Sequence, residues 1–535
     1  MSSTPLPKNS PAQPPRLWRK IGIASAIMMA SIFLSRVMGL VREMVIAGVA
    51  GADAAVDAYR VAFVVPEILN HILASGFLSV TFIPIFARYL TDKRDDEGWR
   101  VFSLIMTVFG AFLIVLILVA EIYAPALVTL LAPGRRDPVF LGMAVRMTRI
   151  ILPAQFFFFA GGLLMAVQFA REQFFIPALA PLIYNLGIIL GGVLLASRLG
   201  MEGFAWGVLG GSLAGNFAVQ LLGARRIGMA FAPVWDLRHA DLWRYVRLTL
   251  PLMFGLTMMF STEVFTKFFG SYLPAGSIAW IEYAMRIMML LVAFFGQAVG
   301  VASYPFMARM AAEGRLADLN GLLNETLRYL CIVVPFAVLM IVLREEIVTL
   351  LYMRGKFTRH DVLMTAPVLA VLLLGAVAFV TQTVVNRGFY AMQNTLLPAA
   401  FGTLTVIVSI PLYYAGMTWW GLKGVGLAVS LSAMAQVVVL YTIWNRRSHN
   451  DGSRDVYGFF FKMLLLSIPL GATLALLRRG LVNVFDPGSA CGCFLIAAIA
   501  SAVFLLLLFA LACAFKIPEF TVLLQRLRTR FQRPD

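Results

Sequence analysis

Ionisable side chains set inside long apolar stretches are the residues of this sequence with chemistry to offer. Arg36, Arg42 and Glu43 fall in the first stretch, Arg60, Glu67 and His71 in the second, and Arg146 and Arg149 in the fourth. Glu263 with Lys267 and Glu282 with Arg286 lie in the seventh and eighth. A charged group at the centre of hydrocarbon costs about 3 kcal/mol even on the lenient scales, so each must face a cavity or a partner. Arg60, Glu67 and His71 recur at steps of seven and four and share one helical face. The two Glu/basic pairs at i and i+4 can neutralise each other along a helix. Arg36 sits mid-stretch, where Glu43 balances only one of two arginines.

Seven basic side chains (Arg36, Arg42, Arg60, Arg146, Arg149, Lys267, Arg286) stand against four acidic ones (Glu43, Glu67, Glu263, Glu282). That excess predicts a positive interior suited to an anion. Several guanidinium groups together match the oxygens of a diphosphate, which they bind two at a time. Glu43, Glu67 and His71 are the groups able to take up a proton or a monovalent ion, and a membrane potential acts on cavity charge at about 2.3 kcal/mol per charge per 100 mV. No other cofactor is called for.

Catalysis finds no purchase. The only close acidic run, Asp95-Asp96-Glu97, is flanked by Lys93, Arg94 and Arg100 and reads as a solvated loop, with no further acid at a metal-ligand spacing. Cys331, Cys491, Cys493 and Cys513 lie in or beside apolar runs, without the spacing of a zinc site. The chemistry on offer is binding and movement. The expectation is a transporter, not an enzyme, with no catalytic and no metal residues.

The elements that must position these groups are membrane helices. Of 535 residues, 60% are hydrophobic and 13% charged, and the mean hydropathy is +0.85. Apolar runs of roughly 20 residues recur along the chain, and a span of that length satisfies its own backbone only as a helix. Runs beginning near 21, 60, 101, 139, 177, 203, 248, 278, 328, 361, 397, 423, 457 and 491 predict about fourteen spans, an all-α integral membrane protein. A net charge of +17 raises nucleic acid as a partner, but the basic residues are dispersed between apolar runs, so they read as topology. Clusters such as Arg16/Arg19/Lys20, Arg225/Arg226/Arg238/Arg244/Arg247 and Arg526/Arg528/Arg530 fall on one side under this count. By the positive-inside rule that side is cytoplasmic and holds both termini.

The chain also repeats itself. Pro84-Ile-Phe-Ala-Arg88 matches Pro305-Phe-Met-Ala-Arg309, Gly134-Arg135 matches Gly355-Lys356, and Pro177-Ala178 matches Pro398-Ala399, each 221 positions on. Three matches in register predict two six-helix lobes of one construction and the same orientation, 21–226 and 248–447, joined by a linker at 227–247. Residues 448–515 add two helices. Residues 1–20 read as a disordered tail and 516–535 as a basic tail, both cytoplasmic.

One stretch, LSRVMGLVREMVIAGVAGADAAVDAYRVAFVVPEIL, continues through ASGFLSVTFIPIFARYL. Further on come LAPGRRD, IPALAPLIYNLGIIL, AGSIAWIEYAMRIM, LLYMRGKFT and RGFYAMQNTLLP. In this order they resemble the MurJ (MviN) family of lipid II flippases, of the multidrug/oligosaccharidyl-lipid/polysaccharide exporter superfamily. The resemblance implies translocation of undecaprenyl-diphosphate-linked disaccharide-pentapeptide from the inner to the outer leaflet of the bacterial plasma membrane for peptidoglycan synthesis. It implies a cavity lined by Arg36, Arg42, Asp57 and Arg286, and a tail groove formed by the last two helices around Leu464 and Leu505. The partners it implies are lipid II, membrane phospholipids and cell-wall synthesis proteins. The sequence departs from the family at Asn70-His71, at Ser75-Gly76 and at Met285, where charged residues are common; Arg60, on the same helical stripe as His71 about three turns away, is the residue available to compensate. Flipping of another polyprenyl-diphosphate glycan, and cation-coupled export of a drug or metabolite, stay open as alternatives.

Overall fold

Twenty-residue apolar runs give helices throughout the computed structural model, which describes residues 15–71, 77–257 and 261–515. In chain order the helices are α1 (Pro15–Ala50), α2 (Ala54–Ala62), α3 (Val64–Leu69), α4 (Phe77–Thr91), α5 (Asp95–Leu131), α6 (Pro138–Ile151) and α7 (Ala154–Ala170). Then follow α8 (Phe175–Leu199), α9 (Glu202–Gly211), α10 (Val219–Arg226), α11 (Ala240–Thr257), α12 (Ser261–Gly270), α13 (Ser277–Val292) and α14 (Ala298–Ala312). The last are α15 (Leu316–Leu330), α16 (Val333–Val342), α17 (Arg344–Tyr352), α18 (Arg359–Ala391), α19 (Leu396–Ser448), α20 (Ser453–Val482) and α21 (Ala490–Ala514). No strand occurs among the described residues.

Among the described residues eleven helical stretches, some joining two of these helices as α6 and α7 do, are long and apolar enough to cross a membrane. The longest, α19, breaks at Gly421, whose φ of 55° lies in the left-handed region, and so carries the two spans expected at 397 and 423. The spans expected at 60 and 248 are not among the eleven; they run through residues 72–76 and 258–260, outside the described residues. The count of fourteen is therefore an expectation, and so are the two tails where they fall on 1–14 and 516–535.

The backbone carries the repeat as clearly as the side chains do. Left-handed residues recur at the same offset of 221: Lys93 with Gly314, Glu172 with Gln393, Gly200 with Gly421, and Gly228 with His449. Pro84 and Pro305 both sit inside helices, and Pro177 and Pro398 are each the third residue of theirs.

By packing, the described residues form two compact units. One draws on the described residues of 15–42, 77–121 and 150–250, the other on those of 43–71, 122–149, 251–257 and 261–515. The first is held by close helix contact through glycine: a Cβ on Gly191 would lie 2.5 Å from the Gly207 Cα, and one on Gly211 2.7 Å from the Tyr184 carbonyl oxygen. Between apolar helices in lipid, such backbone approach supplies the dispersion that a hydrophobic driving force supplies in water. In the second unit α20 and α21 pack on α16 through Leu339, Val342, Leu470, Leu474, Ile496 and Phe504. Arg478 donates to the buried Glu346 of α17 at 2.7 Å.

The Asp95-Asp96-Glu97 run corrects one expectation. It is the first turn of α5, where carboxylates stabilise the positive end of the helix dipole. Asp95 pairs with Arg171 at 2.6 Å, and Glu97 pairs with Arg94. Of the four cysteines, all free, Cys331 and Cys493 are buried and Cys491 and Cys513 exposed.

Candidate functional site: a buried charge network

Within the second unit the end of α1, α2, α3, α12 and α13 bring their ionisable groups into one chain of contacts. Glu43, almost fully buried, accepts from Arg60 Nη2 at 2.5 Å. Arg286 Nε lies 4.0 Å from the other Glu43 oxygen, and Arg286 Nη2 3.7 Å from Glu282 Oε2. Glu282 Oε1 is 3.8 Å from Lys267 Nζ, which donates to Glu263 at 2.9 Å and approaches Glu67 at 3.9 Å. The i,i+4 pairs read from the sequence are thus present, and Lys267 also joins helices that the sequence keeps apart.

Arg36, Arg42, Arg146 and Arg149, which make up the expected basic excess, lie outside this network. Here three cations (Arg60, Lys267, Arg286) meet four carboxylates (Glu43, Glu67, Glu263, Glu282). Arg60 is buried, spent on Glu43 and lodged against the Tyr283 ring at 5.4 Å. At Phe63 the hydrogen bonding between α2 and α3 is interrupted while the backbone stays helical, with φ −76° and ψ −22°. His71 is half-buried, with Nδ1 2.8 Å from the Glu67 carbonyl oxygen. Arg286 is the member that reaches outward: its side chain is 45% exposed, and its distances to Glu43 and Glu282 exceed those of a hydrogen bond. A guanidinium held by charge but not saturated by hydrogen bonds keeps donors for an incoming oxyanion.

Asp57 is also buried, with no exposed surface. Its carboxylate accepts from the Gly276 and Ala279 amides, each at 2.8 Å, and from Arg135 Nη2 at 3.1 Å. Gly276 is the N-cap of α13, with φ of 90° and no side chain of its own to cap the helix. Asp57 supplies that cap from α2, satisfying donors the helix leaves orphaned and complementing its dipole. The ligand-facing positions expected for Asp57 and Arg60 are therefore not what this structure shows. Both hold the frame on which Arg286 sits. Arg135 was not singled out as a partner, although its place in the repeat, at Gly134-Arg135, was a signal that its turn is structural. The equivalent turn donates Lys356 N to the Gly48 carbonyl at 2.9 Å.

In the first unit Arg36 is exposed and Arg42 half-buried on α1, and Arg42 Nη1 donates to Asn185 at 3.2 Å. Arg146 and Arg149, in the second unit, are exposed. Where α20 and α21 meet α16, an apolar crevice is lined by Pro335, Met463, Leu466, Leu470, Leu508 and Leu511, with Ser467 the one polar side chain. Leu464 and Leu505 are exposed on the same helices.

A family model described as "Lipid II flippase MurJ" matches residues 46–493, which include α2, α12, α13 and the whole charge network beyond Glu43. The chain belongs to the MurJ family. Among its relatives, the lipid II flippase MurJ of Burkholderia cenocepacia is 29% identical over 449 residues, covering 82% of this chain and 87% of that one. The probable lipid II flippase MurJ of Buchnera aphidicola is 26% identical over 439 residues, 81% of this chain and 86% of that one. The fold is that of a solved MurJ in an inward closed conformation, with a TM-score of 0.75 at 22% identity over 92% of this chain and 99% of the other. An inward-facing multidrug transporter of the wider superfamily shares it more distantly, with a TM-score of 0.65 at 15% identity over 78% of this chain and 94% of that one. This MurJ-family chain is accordingly a multi-pass membrane protein of transporter architecture.

Proposed function

We propose that this chain is a lipid II flippase, carrying the undecaprenyl-diphosphate-linked precursor from the inner to the outer leaflet of the bacterial inner membrane by alternating access, with both termini cytoplasmic. Family membership supports the substrate. The observation that carries the mechanism is Arg286: a half-exposed guanidinium in a membrane span, held 3.7 and 4.0 Å from two carboxylates that fix its position without using up its donors. Arg36 and Arg42, on α1 in the first unit, are further guanidiniums of the kind that binds phosphate oxygens. Asp57 and Arg60 act as positioning residues through α13 and Glu43, and His71 borders the same network. The polyprenyl tail is assigned to the apolar outer faces of α20 and α21, where Leu464, Leu465 and Leu505 are exposed. No bond is made or broken in this process.

The excess of one carboxylate in the network favours coupling to a proton or a monovalent cation, with Glu67 as the least satisfied acid: its Oε2 is buried without a hydrogen-bond partner. Membrane potential supplies a second drive through the same charges. The test is replacement of a cell's native flippase by this chain, with lipid II exposed on the outer leaflet as the readout. Survival with outward lipid II, lost in Arg286→Ala at normal protein level, is the expected result. Drug resistance without rescue would instead establish a cation-coupled exporter.

A further inference from the structure

The segment that leaves α10 and enters α11, residues 227–239, is neither helix nor strand, yet it is fastened to the first unit along its length. Its Ala232 amide donates to Ser103 Oγ at 3.3 Å, and the Phe231 ring meets Phe102 edge-on. Trp243 Nε1, from the first turn of α11, donates back to the Leu237 carbonyl at 2.9 Å. At its far end Asp241 is buried and taken by Arg88 at 2.9 Å and by the Tyr89 hydroxyl. These ties hold the strap against α4 and α5.

Its outer face combines two features that seldom coincide on a surface meant for water. Trp235 is 64% exposed and Trp243 54%, with Leu237 exposed between them. Around them Arg225, Arg226, Arg238, Arg244 and Arg247 are all exposed, and none of the five side chains is engaged by a carboxylate in the described structure. The two acids in this stretch are spoken for: Asp236 accepts from the Arg238 amide at 3.0 Å, and Asp241 is buried. The strap starts directly after Arg226, the last residue of a membrane span, so it lies at the level where hydrocarbon gives way to headgroups. Tryptophan prefers that level, and arginine there is drawn to phosphate.

We propose that the 227–239 strap, with the first two turns of α11, is a docking surface for anionic phospholipid headgroups, with Trp235 and Trp243 seated at the interface and the arginines pairing with lipid phosphates. The surface is separate from the transport network, shares no residue with it, and holds whichever leaflet it faces. Each arginine near an anionic surface contributes about fivefold to binding, so removing three weakens it by roughly a hundredfold.

The test uses the purified full chain with phosphatidylglycerol and phosphatidylcholine as probes. Native mass spectrometry titrates each lipid onto the protein, and hydrogen exchange of the 229–239 amides is compared in discs of phosphatidylcholine with and without phosphatidylglycerol. The expected result is selective retention of phosphatidylglycerol and slowed exchange in the strap. Both effects are lost in the combined Arg238→Gln, Arg244→Gln, Arg247→Gln variant, and retention weakens in Trp235→Ala. Equal retention of the two lipids, or a phosphatidylglycerol preference unchanged in the triple variant, overturns the proposal. So does equal protection of the strap by inorganic phosphate in phosphatidylcholine discs, which would make the site one for soluble anions. Should the triple variant unfold earlier than the parent in phosphatidylcholine, Arg225→Gln and Arg247→Gln alone read the same preference.

Discussion

Removing the Asp57 carboxylate separates a positioning role from a ligand role. In Asp57→Ala the Gly276 and Ala279 amides, each 2.8 Å from a carboxylate oxygen, lose their acceptor inside a site with no exposed surface. Each buried donor left unsatisfied costs about 1–3 kcal/mol, so two cost about 4 kcal/mol. Arg135, 3.1 Å from the same carboxylate and largely buried, loses its counter-ion as well. Asp57→Asn keeps one oxygen acceptor but turns an NH2 toward the remaining donors, and should cost about half as much. Denaturant unfolding of the purified chain in detergent, without any lipid substrate, measures both. Arg135→Ala combined with Asp57→Ala should cost less than the sum of the singles, because the second change removes a charge the first had stranded. If Asp57→Ala unfolds at the parent's denaturant midpoint yet fails to rescue a flippase-depleted cell, Asp57 touches substrate and the capping argument is wrong.

Three further outcomes follow from the same geometry. Glu43→Ala and Arg60→Ala should each destabilise by about 3–5 kcal/mol, since each strands a buried charge, while the double change costs less than their sum; denaturant unfolding reads the difference. Arg36→Ala and Arg286→Ala should leave unfolding within about 1 kcal/mol of the parent, both side chains being exposed or half-exposed, while abolishing rescue in cells. Gly207→Leu should lower the unfolding temperature and the monomer yield, because its Cβ alone would sit 2.7 Å from the Gly187 carbonyl oxygen; Gly210→Ala, which meets nothing within 4 Å, is the matched control.

Helix content and the repeat were legible in the sequence because both are local: apolar run length sets the first, and turn residues at a fixed offset set the second. The left-handed positions at Glu172 and Gln393 show how far that reaches, since two non-glycine residues adopt the same uncommon backbone 221 positions apart. The glycine seam of Gly203, Gly207 and Gly211 is equally written in the sequence, as small residues at every fourth position. What sequence cannot supply is which charge meets which. Glu43 is one residue from Arg42 and seventeen from Arg60, yet it pairs with Arg60 because a helix turns adjacent residues about 100° apart while the bend after Gly51 brings α2 back alongside.

That choice of partner changes what the arginines do. With Arg60 paired to Glu43, and Lys267 shared among Glu67, Glu263 and Glu282, Arg286 is the exposed cation of the described network. A pocket whose every arginine was free would bind a diphosphate tightly in any conformation and release it slowly; affinity gained equally in all states moves nothing. A single tethered guanidinium backed by an acid-rich network is better placed for carriage than for storage. Glu43 and Glu282 compete with the ligand for the Arg286 donors, and protonation or cation entry at Glu67 or Glu263 would leave Lys267 to Glu282, weakening that competition and strengthening the grip on the anion. Glu67→Gln should therefore raise affinity for a diphosphate lipid while slowing its release, a split between binding and turnover that equilibrium binding and flipping rate measure separately. A Glu67→Gln chain that binds and flips as the parent does would remove the network from the transport cycle and leave it a purely structural one.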